Sequence, residues 1–119
     1  MAAVILSICL SAVPGPALAA ELIMFHKDGC AWCERFDKEI TPVYPHTPEA
    51  RCASLRHVDI YGAWPADLKA IKGIVFTPTF VLFEDGREVA RRIGYPGEDF
   101  FWGLLAQDLK LLKQPCILP

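Results

Sequence analysis

Two cysteines separated by two residues, Cys30 and Cys33, stand where an apolar run of this 119-residue chain gives way to a helical pattern. The apolar run at residues 22–25 predicts a buried strand, and residues 34–40 predict a helix. Cys30 then lies at the helix N-terminus, where free backbone N–H groups and the helix dipole favour an anion. We therefore expect the pKa of the Cys30 thiol to lie below the ordinary cysteine value of about 8.5.

The second cysteine of the pair, Cys33, lies one turn into the same helix. From there it can attack a mixed disulfide between Cys30 and another molecule, which releases that molecule and closes a Cys30–Cys33 bond. The pair therefore predicts thiol–disulfide exchange.

Two other uses of a Cys-x-x-Cys pair stay open at this point. Zinc would need two further thiolate or imidazole ligands. The chain offers single residues for this purpose, with no second closely spaced pair: His26, His46, Cys52, His57 and Cys116. A purely structural disulfide is the other use, but a bridge across so short a loop removes little entropy from the unfolded chain. We predict no metal and no cofactor.

Length and composition indicate one packed domain. Hydrophobic residues make up 53% of the chain and charged residues 22%, which is enough apolar surface for a core and argues against disorder. The net charge of −2 comes without a basic face. Because nucleic-acid binding needs clustered Lys and Arg, we predict no nucleic-acid partner.

Residues 1–19 differ from the remainder because they carry no charged side chain. An apolar run at 2–13, a Pro-Gly-Pro break and a small-x-small triplet predict a secretory signal that is cleaved after Ala19 or Ala20. The run is short for a membrane span. No Lys or Arg precedes it, so an upstream start codon or an uncleaved tether remain alternatives. Residues 20–119 would form the mature domain in an oxidising compartment, where disulfides persist.

The hydrophobic periodicity predicts the element order β-α-β-α-β-β-α. We expect strands at 21–25, 55–60, 80–83 and 88–93, and helices at 34–40, 65–72 and 98–113. Asp85-Gly86 predicts a tight hairpin between the last two strands. The fold class is therefore α/β, with one mixed sheet flanked by helices.

This order, with a Cys-x-x-Cys pair after the first strand, resembles the thioredoxin fold over residues 21–112. Four landmarks carry the resemblance, and they occur in the family's order. They are Phe25 with the Cys30-Ala31-Trp32-Cys33 segment, Thr77-Pro78-Thr79, Asp85-Gly86 and Gly94.

The resemblance implies specific roles for the residues at its landmarks. Cys30 would be the nucleophile and Cys33 the resolving thiol. Pro78 would follow a cis peptide bond beside the two sulfurs, at a cost of only about 0.5–1 kcal/mol for an X-Pro bond. The backbone of Thr77 would pair with an extended substrate, and Trp32 would contact it. A trans proline at the start of a strand is the alternative for Pro78.

The chain departs from the family in ways that affect proton transfer. Met24 stands where cytosolic thioredoxins have a buried aspartate, and Leu55 falls where they have the lysine that accompanies it. The proton of Cys33 would then pass to Glu34, to His26 or to water.

The residues around the sulfurs also differ from those of cytosolic thioredoxins. Ala31-Trp32 replaces Gly-Pro between the cysteines, and His26 replaces the flanking tryptophan. As an imidazolium, His26 could lower the pKa of Cys30.

These departures are similar to those of small periplasmic thioredoxins of bacterial sulfur-oxidation operons and of cytochrome c maturation. The resemblance implies a monomeric periplasmic reductant of a protein disulfide, recharged by a membrane electron donor of the DsbD or CcdA kind. A disulfide-forming oxidant is the alternative within enzymes. A metal-binding or redox-inactive adaptor is the alternative outside them.

The remaining cysteines of the predicted mature domain are Cys52 and Cys116. In this fold we expect the chain to bring both residues to the edge of the sheet opposite Cys30. A second, structural disulfide between them is therefore a hypothesis. Such a bridge would stabilise the fold by about 4 kcal/mol in the chain-entropy model. Two separate thiols are the alternative.

Overall fold

The computed structural model of the chain describes residues 1–5, 8, 9, 11 and 20–119. The other residues of the predicted signal segment, 6, 7, 10 and 12–19, lie outside the described residues. In the described ranges, no helix is both long enough and apolar enough to cross a bilayer.

Residues 20–119 form a four-stranded sheet and three α-helices. The strands are β1 (Ala20–His26), β2 (Ala53–Asp59), β3 (Thr79–Glu84) and β4 (Arg87–Ile93), and the helices are α1 (Ala31–Glu39), α2 (Pro48–Cys52) and α3 (Glu98–Leu109). The strand order is β2-β1-β3-β4. Strands β1 and β2 are parallel and the other neighbours are antiparallel. This mixed sheet with flanking helices confirms the predicted fold class.

The central strand β1 is buried on both faces of the sheet. Leu22 and Met24 pack into one hydrophobic cluster, together with residues of α1 and α3. Ile23 and Phe25 point the other way, into a second cluster. This alternation follows from the two-residue period of a strand, and it explains why the sequence of β1 is an almost continuous apolar run.

Helices α1 and α3 cover one face of the sheet through an aromatic cluster. The ring of Phe36 in α1 lies 4.8 Å from that of Phe80, 5.4 Å from that of Tyr95 and 5.1 Å from that of Phe101, measured between centroids. Phe36 is fully buried, and tilted or edge-on ring pairs add to the gain from burial. Packing around Phe36 therefore sets where α1 lies on the sheet.

The opposite face is covered by the segment between β2 and β3. The helix predicted at 65–72 is wrong, because this segment forms only a 3-10 turn, Ala66–Leu68. Leu68 and Ile71 are buried in the second cluster, and their three-residue spacing suits a 3-10 turn. A two-turn helix would also be marginal because nucleation is costly.

A short helix, α2, lies between the first two strands, in a segment for which the periodicity predicted neither helix nor strand. The Oγ1 atom of Thr47 accepts the backbone N–H of Ala50 at 3.3 Å, and Pro48 occupies the first turn. Both are helix-start signals, since Thr is a good N-cap and Pro tolerates the first turn. The sequence thus contained the information needed to predict α2.

The register of the sheet brings two chain segments together at one end of the strands. Strand β1 ends at His26, and Phe25 pairs with Thr79 at the start of β3. The turn that leads to Cys30 and the Thr77–Pro78 bond therefore lie at the same edge. Across the parallel ladder, Met24 pairs with His57. Leu55, which the resemblance put at the position of the family's lysine, is not the cross-strand partner of Met24, because it pairs with Leu22.

Candidate active site

Cys30 is the N-cap of helix α1. Its backbone is extended, with φ −88° and ψ 101°, and its sulfur accepts the backbone N–H of Cys33 at 3.1 Å. The preceding Gly29 has φ +73°, a left-handed conformation that glycine adopts without steric cost. The turn therefore delivers the Cys30 sulfur to the positive end of the helix dipole, which favours a thiolate there.

Cys33 lies on the inner side of α1. It is bonded to Cys30 as a disulfide with a Cα–Cα distance of 5.2 Å. Both cysteines belong to the core cluster beneath the helix, with 7% of Cys30 and 3% of Cys33 exposed. Cys30, at the helix end, is thus slightly more exposed than Cys33, although both are buried.

Trp32 lies between the two cysteines and is half exposed, at 52%. The guanidinium of Arg35 lies 5.3 Å from the centroid of its ring, a cation–π distance. This contact restricts the indole beside the redox pair, where it presents an apolar surface to solvent.

The loop before β3 contains the cis peptide bond Thr77–Pro78. The carbonyl of Pro78 accepts the N–H of Gly94 at 2.8 Å, and Thr79 Oγ1 donates to the carbonyl of Phe76 at 2.7 Å. Pro78 and Thr79 are buried, whereas Phe76 is 65% exposed. These two hydrogen bonds therefore fix the buried side of the loop, while the Phe76 side chain is exposed to solvent.

His26 lies at the end of β1 and is half-buried. Its ring lies 5.9 Å from that of His57, with an angle of 68° between the planes. Glu34, the other predicted proton acceptor, is an exposed residue of α1. The two residues predicted as acceptors thus differ: Glu34 is exposed, whereas His26 lies beside a histidine of the adjacent strand.

A hydrogen-bonded group that joins β2 to α1 was not predicted from the sequence. His57 Nε2 lies 2.9 Å from Asp37 Oδ1, and the hydroxyl of Thr41 donates to the same carboxylate oxygen at 2.7 Å. The only sequence signal for this group is the alternation of β2, which places His57 on the face that α1 covers.

A second ion-paired group lies at the end of α1. A hydrogen bond from Arg35 lowers the pKa of Glu39, and a second one from Tyr95 lowers it further. The Tyr95 hydroxyl donates to Glu39 Oε2 at 2.9 Å, while burial raises the pKa of Tyr95. This group ties α1 to the segment that follows β4.

The remaining cysteines lie away from the redox pair. Cys52, the last residue of α2, forms a disulfide with Cys116, and their Cα atoms are 5.8 Å apart. Cys52 directly precedes the first residue of β2, whereas Cys30 follows the last residue of β1. Because β1 and β2 are parallel, the two disulfides lie at opposite ends of the sheet.

The part of the chain that the structure describes contains no group of three His, Cys, Asp or Glu side chains arranged to hold a metal ion. Of the five ligands considered for a second zinc half-site, Cys52 and Cys116 are bonded to each other.

The chain is similar to a solved periplasmic protein over most of its length. It is 42% identical to the periplasmic thioredoxin SoxS from Paracoccus pantotrophus, whose structure was solved in the reduced form. The match covers 77% of this chain and 97% of that chain, with a TM-score of 0.73.

Two further solved structures share the fold at lower identity. The thioredoxin Mala s 13 from Malassezia sympodialis is 20% identical, with 77% of this chain and 79% of that chain covered and a TM-score of 0.62. Thioredoxin f2 from Chlamydomonas reinhardtii is 22% identical, with coverage of 77% and 81% and a TM-score of 0.55. No protein-family model and no curated protein matches the chain.

Proposed function

The chain belongs to the thioredoxin superfamily, and on that premise we propose that it is an exported reductant of disulfide bonds in a protein substrate. Its enzyme class is thiol–disulfide oxidoreductase, because the fold carries a Cys30–Cys33 pair. One observation carries the proposal: the Cys30 sulfur caps the helix on which Cys33 lies.

In the first step, the Cys30 thiolate attacks one sulfur of the substrate disulfide. A bond forms between Cys30 and that sulfur, the substrate disulfide breaks, and the other substrate sulfur leaves as a thiolate. The N–H of Cys33 and the helix dipole stabilise the negative charge on Cys30 before the attack.

In the second step, Cys33 loses its proton and attacks the Cys30 sulfur of the mixed disulfide. The Cys30–Cys33 bond forms, and the second substrate sulfur leaves as a thiolate that takes up a proton. The substrate is then reduced by two electrons, and the enzyme is oxidised by two. Since the two cysteines are already held at a Cα–Cα distance of 5.2 Å, the second step needs little rearrangement.

We propose that the side chains of Trp32 and Pro78 contact the substrate and that the backbone of Thr77 forms hydrogen bonds with it. The exposed indole of Trp32 and the exposed Phe76 support this assignment. An extended segment that pairs with the Thr77 backbone would bring its disulfide to Cys30. We also propose that His26, as an imidazolium, favours the Cys30 thiolate by its positive charge.

Several features support an exported reductant. The protein that is 42% identical is described as periplasmic, and the Cys52–Cys116 disulfide suits an oxidising compartment. We propose that residues 1–19 are a cleaved signal and that the mature domain is a periplasmic monomer. A reductant there must be recharged, so we propose a membrane donor of the DsbD or CcdA kind and a role in sulfur oxidation.

Covalent trapping on a defined disulfide protein tests the proposal. With reduced Cys33→Ser protein and insulin, we expect a mixed disulfide through Cys30 that dithiothreitol releases. Cys30→Ser protein is the matched control and should form no such adduct. Absence of an adduct with both variants would contradict the proposal, and so would one zinc ion per wild-type chain that resists dialysis.

A further inference from the structure

The proposed second step requires a proton acceptor for Cys33. This thiol is 3% exposed, so bulk water reaches it poorly. The β1 residues of the core cluster that contains Cys33 are apolar, and the fully buried Met24 among them cannot take a proton. Besides Glu34, which is exposed, and His26, an acceptor can come from another element on the same face of the sheet.

The parallel register places a histidine on that face. His57 of β2 is the direct cross-strand partner of Met24, and cross-strand partners point to the same side of a sheet. Helix α1 covers this side, as the hydrogen bond between His57 and Asp37 of α1 shows. The imidazole thus lies at the rim of the sheet beside the helix that carries the redox pair, with 31% of its side chain exposed.

Asp37 relates the position of this imidazole to that of Cys33. The two residues are four apart on α1, so their side chains are neighbours on one side of the helix, with Cβ atoms roughly 5–6 Å apart. His57 Nε2 lies 2.9 Å from Asp37 Oδ1. A water molecule between the imidazole and the Cys33 sulfur would complete the connection.

The hydrogen bonds of this group leave one ring nitrogen able to accept a proton. An ionised carboxylate can only accept hydrogen bonds, so Nε2 of His57 donates its proton to Asp37. The Nδ1 atom is then the unprotonated nitrogen. The hydroxyl of Thr41 also donates to Asp37 Oδ1, at 2.7 Å, which fixes the carboxylate that orients the ring.

The titratable groups that the described residues place beside His57 come from three elements. From α1 it faces Asp37, from β1 it faces His26 at 5.9 Å between ring centroids, and Asp59 follows on the same face of β2. Asp59 Oδ1 already accepts the backbone N–H of Tyr61. Asp37 is therefore the carboxylate that holds the His57 ring in place.

We propose that His57, positioned by Asp37, accepts the proton of Cys33 through one water when Cys33 attacks the mixed disulfide. This inference rests on the proposed function. The proton passes from Cys33 Sγ to His57 Nδ1 while the Cys33–Cys30 bond forms and the bond from Cys30 to the substrate breaks. The leaving substrate thiolate then takes a proton from the imidazolium or from solvent.

A single-turnover reaction with the aromatic disulfide dithiobis(nitrobenzoate) separates the two steps. The protein is first reduced selectively at Cys30 and Cys33, with its thiols counted. Attack by Cys30 releases a first nitrothiobenzoate anion, and resolution by Cys33 releases a second. Each release is followed by absorbance in stopped flow, across a range of pH.

The informative variant is His57→Gln, since its side-chain amide can still donate to Asp37 but cannot accept the proton. We expect the first release to stay within about twofold of wild type, and the second to slow at least about tenfold near pH 7. This tenfold slowing is smaller than the roughly 10²–10⁴-fold contribution of typical general bases, because water can also accept the Cys33 proton when the ring is half-exposed. Asp37→Asn should slow only the second release, and by less.

The pH profile distinguishes proton transfer from a structural effect. Histidine changes charge between about pH 5 and 8, so the wild-type second release should slow as pH falls through this range. His57→Gln should lose that part of the profile. His46→Gln, at an exposed histidine of the 3-10 turn Tyr44–His46, is the matched control and should keep the wild-type rates and profile.

Two results would overturn the inference while leaving the proposed function intact. In one, His57→Gln releases the second anion at the wild-type rate at every pH. In the other, His57→Gln slows the first and the second release by the same factor. If the wild-type protein releases neither anion, the proposed function itself fails, and the inference fails with it.

Discussion

The sulfur of Cys30 accepts the backbone N–H of Cys33 at 3.1 Å, so the outer sulfur of the pair is also the cap of the helix that carries the inner one. The two thiols therefore have different environments although they are three residues apart. Both sulfurs belong to the core cluster, but Cys30 also gains a hydrogen bond from the backbone and the positive end of the helix dipole.

This difference predicts unequal reactivity of the two thiols. In the reduced protein near pH 7, iodoacetamide should alkylate Cys30 at least about tenfold faster than Cys33. The rates can be measured by mass spectrometry on the Cys33→Ser and Cys30→Ser variants, each of which keeps one thiol of the pair. In urea the two rates should become similar, and equal rates in the folded state would contradict this account of the helix cap.

The second disulfide should contribute to stability and not to activity. Cys52 and Cys116 are separated by 64 residues, and a loop of that length corresponds to about 4 kcal/mol in the chain-entropy model. We expect the Cys52→Ser/Cys116→Ser double variant to lose about that free energy of unfolding in urea titrations. Its rate of dithiobis(nitrobenzoate) reduction should stay within about twofold of wild type, since the bridge lies at the opposite end of the sheet.

Acid should destabilise the fold through two paired carboxylates. The hydrogen bond from Arg35 lowers the pKa of Glu39, and the hydrogen bond from Arg56 lowers that of Asp67. When the pKa of a carboxyl group is lower in the folded than in the unfolded state, its ionised form stabilises the fold. This contribution to the free energy of unfolding is fully present above the unfolded-state pKa and is lost as pH falls through the folded-state pKa. The free energy of unfolding should therefore decrease from about pH 5 downwards.

Urea titrations at several pH values test this acid dependence. The Glu39→Gln and Asp67→Asn variants should each show a flatter decrease than wild type. A wild-type profile in both variants would show that these carboxylates do not cause the dependence.

The ion pair between β4 and α3 should stabilise the packing of these two elements. Arg92 donates to both carboxylate oxygens of Asp108, at 3.0 and 2.7 Å, and the Asp108 side chain is only 9% exposed. Arg92→Met leaves this carboxylate without its partner, so we expect a loss of about 1.5–3 kcal/mol in thermal or urea unfolding. Arg87→Met, at an exposed position of the same strand, should change stability by less than about 0.5 kcal/mol.

The features that could be predicted from the sequence are local ones. The Cys30–Cys33 pair and its place between strand and helix depend on neighbouring residues, and so does the Asp85-Gly86 turn, where both residues have positive φ. The apolar run of β1 likewise predicts a central strand without knowledge of its partners.

The features that the sequence did not reveal depend on distant contacts. His57 and Asp37 are 20 residues apart, and they meet only because the parallel register aligns His57 with Met24 beneath α1. A shift of one residue in that register would turn His57 to the other face. The helix predicted at 65–72 was wrong for a related reason, since core contacts of Leu68 and Ile71 override a weak helical preference.

The reduction potential of the Cys30–Cys33 pair tests the central claim most directly. It can be measured by equilibrating the protein in glutathione buffers of known ratio and quantifying the free thiols, with the Cys52→Ser/Cys116→Ser variant as a control for the second disulfide. We predict a value near that of thioredoxin, about −270 mV, as expected of a reductant. A value near −120 mV, as in a strong periplasmic oxidant, would contradict the proposed direction of electron flow.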